Sequence, residues 1–276
     1  MDRASTAMLW GCMALSTAVL GLILAFLIYR GADAISWEFI SEHPRAGMTE
    51  GGIITPIVGT VQLILVSMTF AFPVGVITAV YFNEYSHGGA LTKTLRLAVR
   101  SLASIPSVVL GLFGFAFFCV FLSFGASLLS AGLTLGCLAL PTLVTASETA
   151  LQNVPQEFRD ASYALGATRW QTIYKVVLPS AFPGIITGGI LCIGRVAGET
   201  APIMFTGAVF FAPGFARNIF DSVMALPYHI YVLATAGTQI DKTGPLQYGT
   251  ILVLLTLVLG ISMIGIVARA RLRRRI

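Results

Sequence analysis

Charged side chains are scarce in this sequence of 276 residues, where Asp, Glu, Lys and Arg make up 11%. An ordinary soluble domain has about 25%. Apolar residues make up 56%, and the mean hydropathy is +0.86. A surface with so few charges does not keep a chain of this size in solution, which excludes a soluble enzyme and a disordered protein. The composition therefore indicates an integral membrane protein.

Cysteine and histidine are also sparse, with four and three residues. The cysteines lie inside apolar runs without a Cys-x-x-Cys pair, so we expect small buried side chains rather than disulfides or metal ligands. The histidines are far apart and form no ligand motif. The sequence has no Walker A pattern (G-x-x-x-x-G-K-[ST]) and no catalytic constellation. We therefore expect a chain that is not an enzyme and holds no metal or cofactor of its own.

Long apolar stretches are what the sequence does contain, and a bilayer core requires about 20 apolar residues per helix. They predict an all-α integral membrane fold with six transmembrane helices, at residues 4–29, 51–83, 101–147 (two helices with a turn near 123–127), 178–211 and 243–268. An N-terminal unit, residues 1–50, would hold the first helix and an outer amphipathic segment near 34–41. A core, residues 51–276, would hold the other five. Residues 215–236 are also amphipathic and either lie flat or re-enter, and we expect both outer segments to act as lids or anchors without specific chemistry.

Basic residues predict the orientation of the bundle. An even number of spans puts both termini on one side, and the arginine cluster at 269–275 assigns that side to the cytoplasm. Twelve basic residues then lie on the cytoplasmic side of the membrane and four on the outer side. Without the C-terminal cluster, seven cytoplasmic basic residues remain, which still exceed the four outer ones. Because the cluster directly follows an apolar run, we interpret it as a topological signal and not as a nucleic-acid-binding tail.

The loop between spans four and five, residues 154–179, is long enough to require its own structure. Pro155 suits the start of a helix. Gly166 suits the left-handed position that ends it, and Thr168 can cap a second helix that Pro179 delimits. The sequence therefore predicts a helix, a glycine turn and a second helix on the cytoplasmic face.

This loop resembles the EAA loop of ABC importer permeases, in which an acidic residue, two small residues, a glycine and a Leu-Pro pair recur at fixed spacing. The matching residues are Asp160, Ala161, Ser162, Gly166, Val176, Leu178 and Pro179. Asp replaces the usual Glu and Ser replaces the second Ala. The resemblance implies that Asp160, Ala161, Ser162 and Gly166 belong to a coupling helix that docks on an ATP-binding subunit. The alternative is a generic cytoplasmic helical hairpin.

Span five contains Arg195 and Glu199 near its midpoint, where a charge costs a few kcal/mol. At positions i and i+4 of a helix they would share one face, and Pro202 makes the helix easy to break. One interpretation is a neutralised pair at a helix contact, with Gly194 and Gly198 as a packing seam. The interpretation we prefer is a substrate pathway in which Arg195 meets an anion, because guanidinium matches phosphate or sulfate oxygens with paired donors.

From about residue 15 to 270 the chain resembles the A-type permease subunits of phosphate (Pst) ABC importers. The resemblance rests on residues 195–202 (RVAGETAP), 205–207 (FTG), 104–114 and 162–170. It implies the type I (MetI-like) permease fold in the bacterial inner membrane, and passage of inorganic phosphate past Arg195 and Glu199. It also implies a sister permease, two ATPase subunits that bind ATP and Mg²⁺, and an external phosphate-binding protein.

Two other functions remain open from the sequence. The chain could be an ABC permease for sulfate, molybdate or an amino acid, since the coupling loop does not separate these substrates. It could also be a self-sufficient secondary transporter or channel that uses Glu199 as a proton or ion site. Co-purification with an ATP-binding subunit separates the second alternative from the first.

Overall fold

The chain folds into a bundle of long helices with short helices at both ends, and a computed structural model describes residues 3–48, 50–86, 88–212, 214–236 and 240–273. The α-helices are α1 Arg3–Gly31, α2 Trp37–Ser41, α3 Ile54–Val80, α4 Ala90–Ser104, α5 Ser107–Gly114, α6 Leu128–Gln152, α7 Gln156–Ala164, α8 Arg169–Thr172, α9 Leu178–Gly198, α10 Ala201–Thr206, α11 Leu226–Thr235 and α12 Ile240–Arg273. Wide π-helical turns occur at Tyr81–Tyr85, Phe115–Phe121 and Ile173–Val177, and 3₁₀ turns at Ala32–Ala34 and Ala46–Met48. The strands among the described residues are β1 Pro44–Arg45 and β2 Glu50–Gly51, which pair antiparallel.

Five continuous helical segments are long and apolar enough to cross a bilayer among the described residues. They are Ser5–Ala34, Ile54–Tyr85, Leu128–Gln152, Arg169–Gly198 and Thr243–Arg271. A sixth crossing is assigned to the segment Ser107–Phe121, which reaches a membrane-spanning length only together with α4, to which it is joined at a bend. The predicted all-α architecture with six spans is therefore confirmed, and the third span differs in detail from its prediction.

The third span begins at Ser107 and not at 101 as predicted, because the chain bends by 107° between α4 and the helix that follows. Ile105 at the bend is extended, with φ −72° and ψ 130°. Pro106 causes this, since its ring excludes the helical conformation of the preceding residue and it has no N–H to donate. α4 therefore lies across the end of the bundle and does not continue the span.

The core of the bundle is formed where α3, α6 and α9 pack together. Its side chains include Leu63, Leu135, Leu143 and Val196, all less than 5% exposed. Burial of each such side chain contributes about 1.5–3 kcal/mol in water, but in a bilayer close packing is what remains to hold helices together. This explains why small residues are frequent in the helix contacts of this chain.

The two ends of the bundle are distinct, and we define them by their residues. The loop end carries residues 81–86, 88–100 and 148–177, and the far end carries residues 31–48, 50–53, 207–212 and 214–236. α1 packs antiparallel to α12, because its last residue, Gly31, approaches the backbone of Tyr248 near the start of α12. The beginning of α1 and the end of α12 therefore lie toward the loop end.

The amphipathic segments expected outside the bundle are present at the far end in modified form. α2 inserts Phe39 against Ile53 and Leu226, whereas Trp37 is 82% exposed. The segment 215–236 is helical only from Leu226, whose N–H donates to the Thr60 hydroxyl at 2.9 Å in a buried contact. α11 thus packs into the far end of the bundle and does not lie flat on it.

Candidate functional site

Span five is broken at the two residues that follow α9. Glu199 has an extended backbone, with φ −77° and ψ 127°, and the short helix α10 begins at Ala201. Pro202 lies in the first turn of α10, where its missing N–H does not interrupt helical bonding. The expectation that this helix is easy to break is therefore fulfilled, but Glu199 lies beyond the helix end and does not share a helical face with Arg195.

Arg195 and Glu199 nevertheless contact each other, with the Arg195 Nε 3.7 Å from the Glu199 Oε1. A second guanidinium nitrogen, Nη1, donates to the Thr142 hydroxyl at 3.4 Å. Thr142 belongs to the middle of α6, so Arg195 lies at mid-depth in the bundle, as predicted. Both contacts are long, and the Arg195 side chain is 41% exposed. Its Nη2 has no hydrogen-bond partner within the described part of the chain, which leaves donors free for an anion.

The glycines around this pair do not form a packing seam. A Cβ added at Gly194 would meet one atom at 3.9 Å, and a Cβ at Gly198 would meet nothing within 4 Å. The close helix contact lies one and a half turns earlier, where a Cβ at Gly188 would be 2.7 Å from that of Ala146. Gly184 meets Ala150 in the same way, at 2.6 Å. The seam between α6 and α9 therefore uses different glycines, and within the described ranges the polar contacts of the Arg195 side chain are those with Glu199 and Thr142.

The loop between spans four and five has the predicted conformation of helix, glycine turn and helix. α7 ends before Gly166, which adopts the left-handed φ of +81°. Thr168 then caps α8, because its hydroxyl accepts the N–H of Gln171 and the Gln171 side chain accepts the N–H of Thr168. Such a reciprocal capping box satisfies backbone donors that a helix start leaves open.

The EAA residues occupy two sides of this loop. Ser162 is buried, and its hydroxyl lies 2.9 Å from that of Thr172, so it ties α7 to α8. Asp160 is exposed and accepts from the Gln156 side chain at 3.0 Å. Ala161 and Gly166 are exposed as well. The structure thus brings Asp160, Ala161 and Gly166 to a free surface, and gives Ser162 a contact inside the loop.

Pro179 does not delimit the second helix, and this prediction is wrong. Helical structure continues from Arg169 through to Gly198. The turn Ile173–Val177 is π-helical, and Pro179 lies in the first turn of the α-helical segment after it. The wider turn accommodates the proline ring and the missing donor without ending the helix. The loop is therefore joined rigidly to the span that carries Arg195.

Sequence reasoning missed a buried ion pair beneath the loop. Arg159 of α7 donates to the Glu84 carboxylate at 2.9 Å, and both side chains are about one-tenth exposed or less. Arg159 also donates to the carbonyls of Val154 and Leu151, at 2.8 and 3.0 Å. Arg169 donates to the Glu84 carbonyl and lies over the Tyr85 ring. The end of span two is therefore bound to both helices of the loop.

A second charge pair fixes α4 to the same end of the bundle. Arg96 pairs with Glu148 of α6 and donates to the Phe82 carbonyl at 2.9 Å. A signal for both pairs was present in the sequence, because Glu84 and Glu148 each follow directly on a long charge-free stretch. An acidic residue at the end of a span, on the side of the membrane that is rich in Arg, is well placed to pair with one of those arginines.

Comparisons with known proteins give relatives along nearly the whole chain. The family described as "Binding-protein-dependent transport system inner membrane component" matches residues 71–276. The chain is 32% identical to the "Probable ABC transporter permease protein YqgI" of Bacillus subtilis (strain 168), over 95% of this chain and 93% of that protein. It is 37% identical to the "Phosphate transport system permease protein PstA" of Mycobacterium leprae (strain TN), over 92% of this chain and 83% of that protein.

Solved structures share the fold. A chain of the MetNI methionine ABC transporter in inward-facing conformation aligns with a TM-score of 0.65 and 22% identity, over 80% of this chain and 95% of that one. A chain of a bacterial alginate ABC transporter, in complex with an alginate-bound periplasmic protein, aligns with a TM-score of 0.67 and 15% identity, over 95% and 93%. At such identities the likeness concerns the fold alone, and it confirms the fold predicted from the sequence.

Proposed function

Because the chain belongs to the family of binding-protein-dependent transport system inner membrane components, the permease subunits of ABC importers, we propose that it is the permease of an inorganic phosphate importer. The relatives named as phosphate permeases support the substrate. The observation that carries the proposal is Arg195, a half-exposed guanidinium at mid-depth beside a broken helix. Phosphate fits it, because guanidinium offers paired donors to oxyanion oxygens.

The two contacts of Arg195 give it a role in passage of phosphate. Its bonds to Glu199 and Thr142 are long, so an arriving oxyanion can replace them at small cost. Glu199 neutralises the guanidinium when no phosphate is there, which lowers the cost of a charge inside the membrane. Its carboxylate also repels a bound phosphate, which weakens binding and favours release. The pair therefore favours transit over tight binding.

Coupling to ATP would run through the loop between α6 and α9. In this proposal Asp160, Ala161 and Gly166 meet a separate ATPase subunit on the exposed side of the loop, with Tyr163 and Trp170 as neighbouring contacts. Trp170 is 62% exposed and stacks on Tyr174. Since helical structure runs without interruption from Arg169 to Gly198, a displacement of the loop reaches Arg195 directly. ATP and Mg²⁺ belong to the partner subunit in this scheme.

The remaining parts of the assembly follow from this scheme. The loop end faces the cytoplasm, with both termini, in agreement with the excess of basic residues there. The far end faces outward and receives phosphate from an external binding protein. A sister permease completes the pathway on the exposed side of Arg195. The chain itself hydrolyses nothing.

The deciding experiment is ATP-dependent uptake of radiolabelled phosphate by the complex reconstituted in vesicles. We expect excess unlabelled phosphate to compete and sulfate to leave uptake unchanged. Competition by sulfate as strong as by phosphate would favour the second candidate, a permease for another oxyanion, which the guanidinium would also suit. Uptake that continues without an ATPase subunit would instead indicate a secondary transporter.

A further inference from the structure

α4 presents three different sides along its 15 residues. The side toward the bundle carries Thr92, which is 6% exposed, and Arg96, which pairs with Glu148. Since residues advance by about 100° around a helix, the other positions fall on two remaining sides separated by an outer edge of Thr94 and Ser101. Those two sides differ sharply in chemistry.

One of the two sides is an exposed apolar stripe. Leu91, Leu95, Ala98 and Leu102 follow one another within about 60° of the helix circumference. Leu91 is 67% exposed and Leu95 is 40% exposed, so neither is covered by the described part of the chain. Exposed leucines at i and i+4 are typical of a helix that lies against an apolar phase.

The opposite side is basic. Lys93 and Arg100 point about 180° away from Leu102 and Leu91 respectively. Both side chains are exposed, and neither side chain forms an ion pair or a hydrogen bond within the described ranges. In this they differ from Arg96 on the same helix, whose charge is neutralised by Glu148. Two unneutralised cations thus face away from the leucines.

The position of α4 in the bundle puts this arrangement at a membrane surface. α4 meets the third span at an angle of 107°, so it runs nearly parallel to the bilayer plane if that span crosses it. It lies at the loop end, where the Arg96 and Glu148 pair holds it against α6. A helix that is apolar on one side and basic on the opposite side fits the boundary between acyl chains and headgroups.

We propose that α4 is a lipid-binding helix that recognises anionic phospholipids. The stripe of Leu91, Leu95 and Leu102 lies beneath the headgroups, and Lys93 and Arg100 extend to lipid phosphates. Charge complementarity favours lipid over a protein as the partner of α4. A protein would have to contact the leucines on one side of the helix and the free cations on the opposite side at the same time. The bilayer surface supplies acyl chains for the leucines and headgroup phosphates for the cations, about one helix diameter apart.

Photocrosslinking in the intact membrane tests the apolar stripe. p-Benzoylphenylalanine is placed at Leu91 and, as a matched control, at Leu97, which is equally exposed at 65% but lies on the basic side. We expect lipid adducts by mass spectrometry at position 91, and at least fivefold fewer at position 97. Adducts of position 91 with a protein subunit, or equal lipid yields at both positions, would overturn the proposal.

Lipid affinity tests the cations. The chain is purified in detergent and titrated with phosphatidylglycerol or phosphatidylcholine, and bound lipid is counted by native mass spectrometry. Each basic residue at a membrane surface contributes about fivefold in affinity for anionic lipid, so Lys93→Gln with Arg100→Gln should weaken phosphatidylglycerol binding by about thirtyfold. Binding of phosphatidylcholine should be unchanged.

Lys175→Gln is the control, since it removes an exposed lysine of the same end of the bundle outside α4. It should leave phosphatidylglycerol binding within twofold of the parent chain. An equal loss in this variant, or no loss in the double variant, would refute lipid recognition by α4. Neither experiment depends on phosphate or ATP, so its failure is separate from a failure of the transport proposal.

Discussion

The Glu84 carboxylate and the Arg159 guanidinium lie 2.9 Å apart in a buried ion pair that joins the end of span two to the loop between spans four and five. The same guanidinium is bonded to two carbonyls at the end of α6. One side chain therefore connects α7 and the end of α6, which are neighbours in sequence, to the end of span two, 75 positions away. A movement of the loop cannot leave span two or α6 behind without breaking charged hydrogen bonds.

Removal of one charge from this pair should destabilise the fold. Glu84→Gln leaves the Arg159 charge buried without its counterion, which costs about 3–5 kcal/mol. We expect a clearly lower unfolding temperature in detergent. Glu157→Gln, which alters an exposed carboxylate on the same helix as Arg159, is the control and should unfold like the parent chain. Equal unfolding temperatures for the two variants would mean that the pair is not a structural connection.

Arg195→Gln tests the substrate pathway. It keeps a hydrogen-bonding side chain, although a shorter one, and removes the positive charge and the paired donors, so we expect phosphate uptake to fall at least tenfold while the complex still assembles. Arg195→Lys should retain part of the activity, because it keeps the charge without the planar fork. Arg217→Gln, at an exposed position of the far end, is the control. Uptake near normal in Arg195→Gln would contradict the role assigned to this residue.

Gly166→Val tests the coupling loop. The left-handed φ of +81° costs a β-branched residue about 1–3 kcal/mol of local strain, so the turn between α7 and α8 should rearrange. We expect ATP hydrolysis by the reconstituted complex to continue with uptake reduced severalfold. Gly125→Val introduces the same strain at φ +66° in the turn between spans three and four, away from the loop. If both variants lose uptake and hydrolysis together, the loop has no special part in coupling.

Gly188→Ala and Gly198→Ala compare the observed helix seam with the seam that one interpretation of the sequence placed at Gly194 and Gly198. In Gly188→Ala the new Cβ would lie 2.7 Å from that of Ala146, which forces α6 and α9 apart and should cost about 1–3 kcal/mol. Gly198→Ala adds the same methyl group where nothing lies within 4 Å, and stability should be unchanged or slightly higher. Thermal unfolding of the two variants in one detergent compares them. A greater loss for Gly198→Ala would restore the earlier interpretation of the seam.

Features that depend on a few neighbouring residues could be predicted from the sequence. The left-handed turn at Gly166 and the cap at Thr168 are local, so their residue types were sufficient. The break after Arg195 was expected from Pro202 and the nearby glycines. The exact place of the break could not be predicted. Where helical hydrogen bonding stops between Gly198 and Ala201 depends on what α10 packs against. A Cβ at Gly111 of α5 would lie 2.8 Å from the Pro202 Cα.

Features that depend on distant residues could not be predicted. Glu84 and Arg159 are separated by 75 positions, and nothing in either segment specifies the other as its partner. One interpretation of the sequence placed a glycine seam at Gly194 and Gly198 because of their small-xxx-small spacing, whereas close approach of two helices depends on the residues of both. The roles of Arg195, Glu199 and Asp160 in transport remain predictions for the experiments above.

The third crossing, Ser107–Phe121, has a consequence for the path across the membrane. At about 1.5 Å per residue its 15 residues span roughly 22 Å, against about 30 Å for the hydrocarbon core. The broken segment after Arg195 packs on this same helix. The crossing beside the intramembrane charges is thus the shortest among those that the structure describes. A crossing shorter than the hydrocarbon core is accommodated by local thinning of the bilayer. A hydrated anion would therefore travel a shorter apolar distance at this place than the unperturbed bilayer imposes.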